Sequence, residues 1–187
     1  MMLAFDTCNG FCSAAITKNG HVIDFIFESE KSKQAEKLLS LVNTLFLRNE
    51  ITLANIKEVA VSVGPGSFAG VKIGVAVAKS FALFGITPIR VGVLDAIAFN
   101  LMGAGNIIDA VLDPFFDTSE DHFVYHQSFT QDLTPIAEPK SIKRDELNLN
   151  YSKLIPDAKL IANCATYLKQ TGKASSNLDP IYVRNAV

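Results

Sequence analysis

Residues 64–70 read Gly-Pro-Gly-Ser-Phe-Ala-Gly and stand between two very different apolar runs. Before them, Glu58-Val59-Ala60-Val61-Ser62-Val63 is β-branched and apolar enough for a buried strand. After them, residues 71–85 are apolar with few polar breaks and predict a helix. A strand that turns over glycines into a helix gathers backbone N–H groups at the helix N-terminus, where an anion can sit. Two familiar anion motifs nevertheless fail. The phosphate-loop pattern needs Lys and then a hydroxyl directly after the last glycine, whereas Val71 follows Gly70 and Ile73 follows Lys72. Gly64-x-Gly66-x-x-Ala69 fits the short dinucleotide pattern, but Pro65 removes an amide donor and Pro88-Ile89-Arg90-Val91 ends without the acid that would hold a ribose. The plainer reading is a tight turn that needs glycine for steric reasons.

The rest of the chain allows one domain or two small ones. It has 187 residues, 49% hydrophobic and 19% charged, with a formal net charge of -2. A stand-alone nucleic-acid binder is usually basic, so strong direct binding to RNA is not expected. Asp6 interrupts the N-terminal apolar stretch, with no basic segment before it, so no secretory signal is expected. Lys72, Lys79, Arg90 and Asp95 break the apolar middle and argue against a membrane span. Cys8, Cys12 and Cys164 lack zinc spacing and fit reduced, half-buried thiols in a cytoplasmic protein.

Three strands are predicted at 2–7, 11–17 and 21–27, parted by Asn9-Gly10 and Asn19-Gly20, the strongest short hairpin signal. Residues 33–48 change to helical period, with Ala35, Leu38, Leu39, Val42, Leu45 and Phe46 on one face and Ser32 as N-cap. The order β-β-β-α-β-α-β follows. Antiparallel strands continued by parallel strands through helical crossovers are found in ribonuclease-H-like and actin-like ATPase domains. In the second helix Gly70, Gly74, Ala78 and Ala82 recur every four residues, flanked by Val77, Phe81 and Phe84. Interior glycines cost a helix about 1 kcal/mol each, so something approaches this backbone closely. Either its own sheet or a partner subunit would do.

Beyond about residue 100 the pattern weakens, and a smaller second lobe is expected over 101–187. Strands are expected at 106–112 and 122–129, with an acidic insert at 113–121 between them. A strand at 158–162, a short helix at 165–169 and a terminal strand at 180–184 complete the reading. His122 and His126 have helical metal spacing, but their neighbours read as strand, where they would stand ~13 Å apart as surface histidines. Ser67 has no nearby base in sequence and reads as an N-cap.

Several of these segments converge on one family. Leu3-Ala4-Phe5-Asp6-Thr7, Gln34-Ala35-Glu36-Lys37-Leu38-Leu39, the run from Val63 to Gly74 and the ending Pro180-Ile181-Tyr182-Val183-Arg184 resemble the TsaB (YeaZ) proteins. Ala69, Lys72 and Gln34 depart mildly from that family's pattern. Its second-lobe D-A-R-x-x-E-V-Y and G-x-G-A stretches are blurred, the latter becoming Ala162-Asn163-Cys164-Ala165. The resemblance implies an actin-like (ASKHA) α/β fold, with lobe one at 1–100 and a shortened second lobe at 101–187. It implies a non-catalytic subunit that dimerises with TsaD, works with TsaE, self-associates, and meets tRNA only indirectly during threonylcarbamoyl modification of adenosine.

The vestigial nucleotide residues it implies are Asp6, Thr7, Gly64, Gly66 and Ser67, with ATP or ADP at the junction with TsaD rather than on this chain alone. The partner face it implies comprises Gln34, Leu38, Leu41, Leu45, Gly70, Gly74, Val77, Ala78 and Phe81. A charge at Gly74 or Ala78 should then abolish partner binding and leave the fold intact. Val93 and Ile97 occupy the places of the metal-binding histidine pair of TsaD and cannot ligate. No catalytic or metal residue is therefore expected. The alternative is a small kinase-like ATP-dependent enzyme of the same superfamily, using Asp6, Thr7 and the glycine turn.

Overall fold

The computed structural model describes residues 1–103, 105–114, 122–151 and 153–183. Strands β1 (Met2–Asp6), β2 (Cys12–Lys18) and β3 (His21–Glu28) form an antiparallel meander. Asn19 and Gly20 both take positive φ in the second turn, as a two-residue hairpin loop requires. Helix α1 (Gln34–Arg48) then carries the chain back to β4 (Glu58–Ser62), which pairs parallel with β1. Helix α2 (Phe68–Ala82) repeats the move to β5 (Thr87–Val91), parallel to β4. The sheet order is β3-β2-β1-β4-β5.

The central strands are buried on both faces, which is why they read as unbroken apolar runs. Helices α1 and α2 pack side by side on one face, and α4 (Ala158–Gln170) crosses the other. Leu3, Phe5, Val59 and Val61 lie fully buried between these layers. A short helix α3 (Val93–Asn100) leads to an antiparallel sheet of β6 (Ile107–Leu112), β7 (Phe123–Thr130) and β8 (Lys140–Lys143), which rests on α3.

The structure corrects several local expectations. Ser32 takes positive φ, and α1 starts after Lys33 without a side-chain cap. The buried face of α1 is Gln34, Leu38, Leu41, Val42 and Leu45, while Ala35 and Leu39 face outward. Helix α2 ends at Ala82, and residues 83–85 form a turn.

Residues 158–162 and 165–169 belong to one helix rather than a strand and a short helix. Asp157 accepts from Leu160 N at 2.9 Å and caps it. Ala158, Ile161, Ala162, Cys164, Ala165 and Leu168 then form a mostly small face that lies flat on the sheet. Residues 180–183 are not a strand, although Ile181 N donates to Val63 O at 2.7 Å. Arg184 and residues 115–121 of the acidic insert lie outside the described residues.

His122 and His126 are buried rather than on the surface. Each sits 2.9 Å from an aspartate, His122 from Asp113 and His126 from Asp109. The register of β6 against β7 brings Asp109 near His126, and Asp113 and His122 meet just beyond the ends of the same two strands, pairings invisible to local sequence.

Candidate functional site at the glycine turn and the paired helices

The end of β1 and the start of α2 are built against each other. Ser67 N donates to Cys8 O at 2.7 Å, and Thr7 Oγ1 donates to Gly70 O at 2.7 Å. The Gly64–Pro65 peptide is cis. A Cβ on Gly70 would stand 2.0 Å from the Thr7 carbonyl oxygen, and one on Gly66 2.5 Å from that of Cys8. Gly64 takes φ +98, and a Cβ there would meet Ile181 O at 2.6 Å. Gly74 faces Thr7 Oγ1 and Val61 Cγ2. Gly70 and Gly74 therefore turn inward, and what approaches them is the chain's own segment directly after β1, with Val61 of β4 beside it.

Ser67 Oγ accepts from Gly70 N at 3.3 Å and caps α2. Ser67→Ala is expected to cost about 1 kcal/mol, which lowers Tm by about 3 °C in a chain of this size. Thermal unfolding followed by circular dichroism checks it, and an unchanged Tm would remove the capping role. The same bonds bear on anion binding. Ser67 N is committed to Cys8, Gly70 N to Ser67, and Pro65 has no N–H, so much of the cradle already serves the chain.

Asp6 lies at the end of β1, 2% exposed. It accepts from Cys8 N at 3.3 Å and Asn9 Nδ2 at 3.5 Å, and Ser62 hydrogen-bonds it as well. Burial pushes its carboxyl up to about 6, partly offset by the Ser62, Cys8 and Asn9 hydrogen bonds, while the nearby Asp157 adds to the rise. An enclosed carboxyl held this way anchors the β1–β2 turn. Burial also pushes the Cys8 and Cys164 thiols far up, and that of Cys12 to about 12, so none is an activated nucleophile. Val93 and Ile97 sit one turn apart on α3, both buried and apolar. Among the described residues no group of three or more His, Cys, Asp or Glu could hold a metal ion. No described helix is long and apolar enough to cross a membrane.

The expected partner face divides in two. Gln34, Leu38, Leu41, Leu45, Gly70, Gly74 and Ala78 are buried within the chain. A charge at Gly74 would strike Thr7 and Val61 before it met any partner, so such a variant disturbs the fold first. Val77 and Phe81 remain half-buried at the rim of an apolar groove between α1 and α2, lined also by Leu39, Leu53, Ser80 and Phe84. Leu39 is 59% exposed, Leu47 72%, Leu83 87% and Phe84 72%. The sequence reading missed the outward role of Leu39. The available signal was the surplus of apolar residues on α1 and α2, more than one sheet can cover.

The mixed sheet with its two crossover helices on one face defines an actin-like α/β protein. Two solved structures from Pseudomonas aeruginosa share this fold: YeaZ, and a protein described as similar to the peptidase YeaZ. They superpose with TM-scores of 0.75 and 0.77, each at 18% identity, over 97–98% of this chain and 99% of theirs.

The family model described as TsaD: tRNA N6-adenosine threonylcarbamoyltransferase matches residues 27–173. Curated relatives named tRNA threonylcarbamoyladenosine biosynthesis protein TsaB align in sequence. The Escherichia coli protein is 33% identical over 44% of this chain and 35% of its own length, and the Bacillus subtilis protein 30% over 62% and 49%. One from Buchnera aphidicola of Schizaphis graminum is 33% identical over 49% of this chain and 46% of its own. The chain thus spans about half the length, or less, of the curated relatives it matches. It belongs to the TsaB (YeaZ) family, within the broader family to which TsaD gives its name.

Proposed function

We propose that this chain is a non-catalytic subunit in the threonylcarbamoyl modification of adenosine in tRNA, supporting a TsaD partner that performs the chemistry. One observation carries the reading. Helix α1 and the turn after α2 leave Leu39, Leu47, Leu83 and Phe84 exposed, Leu39 and Phe84 in the wall of an apolar groove, while much of the glycine cradle is taken up by the chain's own bonds. Exposed apolar surface of this kind marks an interaction site. TsaD docks on that face, and a second copy of this chain competes for it. TsaE joins the pair, tRNA is met through the partner, and ATP or ADP binds where the subunits meet. The setting is cytoplasmic, in keeping with three free buried cysteines.

Co-purification with its own TsaD, followed by the modification assay with and without this chain, tests the proposal. Leu39→Asp and Phe84→Asp remove apolar surface at exposed positions, so each is expected to shift folding stability by less than about 0.5 kcal/mol. Each should lose capture of TsaD at least tenfold. Undiminished capture by both folded variants would overturn the docking face. Turnover of ATP by the isolated chain in the presence of magnesium would overturn the non-catalytic role.

A further inference from the structure

The β1–β2 and β2–β3 turns both carry Asn-Gly, at 9–10 and at 19–20, and the fold treats the two asparagines differently. Asn19 stands exposed at the tip of its two-residue turn. Among the described residues neither its carboxamide nor the Gly20 N–H makes a hydrogen bond. Asn9 is half-buried. Its Nδ2 donates to Asp6 Oδ2 at 3.5 Å, and its Oδ1 is buried without a donor.

An asparagine followed by glycine has an intramolecular route to hydrolysis, because the next amide nitrogen is tethered close to the side-chain Cγ. Glycine crowds the five-membered ring least. The N–Cγ bond forms as that nitrogen gives up its proton, and the Cγ–Nδ2 bond breaks, with Nδ2 leaving as ammonia. Water then opens the imide at either carbonyl. Addition at Cγ yields aspartate, and addition at the main-chain carbon yields isoaspartate, whose backbone runs through Cγ.

The attack builds negative charge on Oδ1, so it is favoured where that oxygen is solvated or given a donor. Exposed Asn19 has water for this. At Asn9 burial withholds water, no donor replaces it, and the Asp6 carboxyl stands against the same amide. The fold also fixes the vulnerable glycine in place. Gly20 takes φ +81, and a Cβ there would stand 3.3 Å from Thr166 Cγ2 of α4. The hairpin therefore needs the residue that makes Asn19 reactive, and an exposed turn tip opens locally at little cost.

We propose that Asn19 is a self-modification site, converted through a cyclic imide with Gly20 N to aspartate and isoaspartate, while the fold protects Asn9 in the same dipeptide. The new carboxylate enters the wall of a cavity shared with Met1, Glu58, Thr166 and Lys169. Isoaspartate also lengthens the main chain inside the turn that pairs Lys18 with His21. The site is independent of any partner on α1 and α2.

Ageing the folded full chain in mildly alkaline buffer, beside a sample unfolded in guanidinium chloride, tests this. Both are digested at acid pH, where the imide route is slow, and their peptides are mapped by mass spectrometry. Electron-based fragmentation separates isoaspartate from aspartate. In the folded chain the peptide holding Asn19 is expected to gain the acid several-fold faster than that holding Asn9, with isoaspartate among its products. In denaturant the two rates should draw together. Three results would overturn the proposal: Asn19 converting no faster than Asn9 in the folded chain, a rate ratio unchanged by unfolding, or aspartate without isoaspartate.

Discussion

Gly70→Ala is expected to destabilise the chain by about 3 kcal/mol or more, at the upper end of what added bulk costs in a packed interior. The added Cβ would stand 2.0 Å from the Thr7 carbonyl oxygen, which is backbone and cannot rotate away. To make room, α2 must lift from the end of β1. That also strains the bonds from Thr7 Oγ1 to Gly70 O and from Ser67 N to Cys8 O. Gly74→Ala is the natural control. Its new Cβ meets the Thr7 hydroxyl at 2.7 Å and Val61 Cγ2 at 3.2 Å, side-chain atoms that give more readily than backbone, although the Thr7 hydroxyl moves at the expense of its bond to Gly70 O. Alanine also regains about 1 kcal/mol of helix propensity there. Urea denaturation of the two variants should therefore separate widely, with Gly70→Ala far the weaker. Equal midpoints would remove the close approach as the reason for the glycine.

Asp6→Asn is expected to stabilise the protein near neutral pH by roughly 1–3 kcal/mol. The folded carboxyl is pushed up to about 6 by burial, whereas an unfolded aspartate titrates near 3.8. Between those values the folded state holds a proton that the unfolded state has released. Stability from this group is therefore full below the unfolded value, falls as pH rises through the window, and levels off above about 6.

Asparagine removes that slope and keeps an oxygen for Cys8 N and Ser62. Its new amide donor also has a use. Asn9 Oδ1 is buried without a partner, and a turn of the Asn9 amide would bring it to face the substituted side chain. Denaturation from pH 4 to 7 checks the sign. A variant that loses stability over this range as steeply as the parent would show that the slope arises elsewhere.

Much of the fold was legible where local chemistry and global packing agree. Asn19-Gly20 announced a hairpin because few other residue pairs tolerate two positive φ values. The run Val59–Val63 and the glycines after it announced a strand and a helix start. Helix α4 was not legible: Leu160-Ile161-Ala162 reads locally as strand, and only contact with the sheet makes its small face coherent. The acids beside His122 and His126 were hidden for the same reason, since strand register across β6 and β7 brings them together.

The candidate site divides along the same line. By itself the sequence determined that a strand, a glycine turn and a helix follow one another, and that α1 and α2 carry more apolar surface than one sheet needs. Those facts depend on residue type and period, which short-range sterics read directly. Only the tertiary structure decided which side of each helix is spent. Gly70 and Gly74 turn inward because Thr7, 63 residues before Gly70, arrives there directly after strand β1 and donates to the Gly70 carbonyl. Leu39 and Phe84 are left outside because the layer of side chains beneath them is already full.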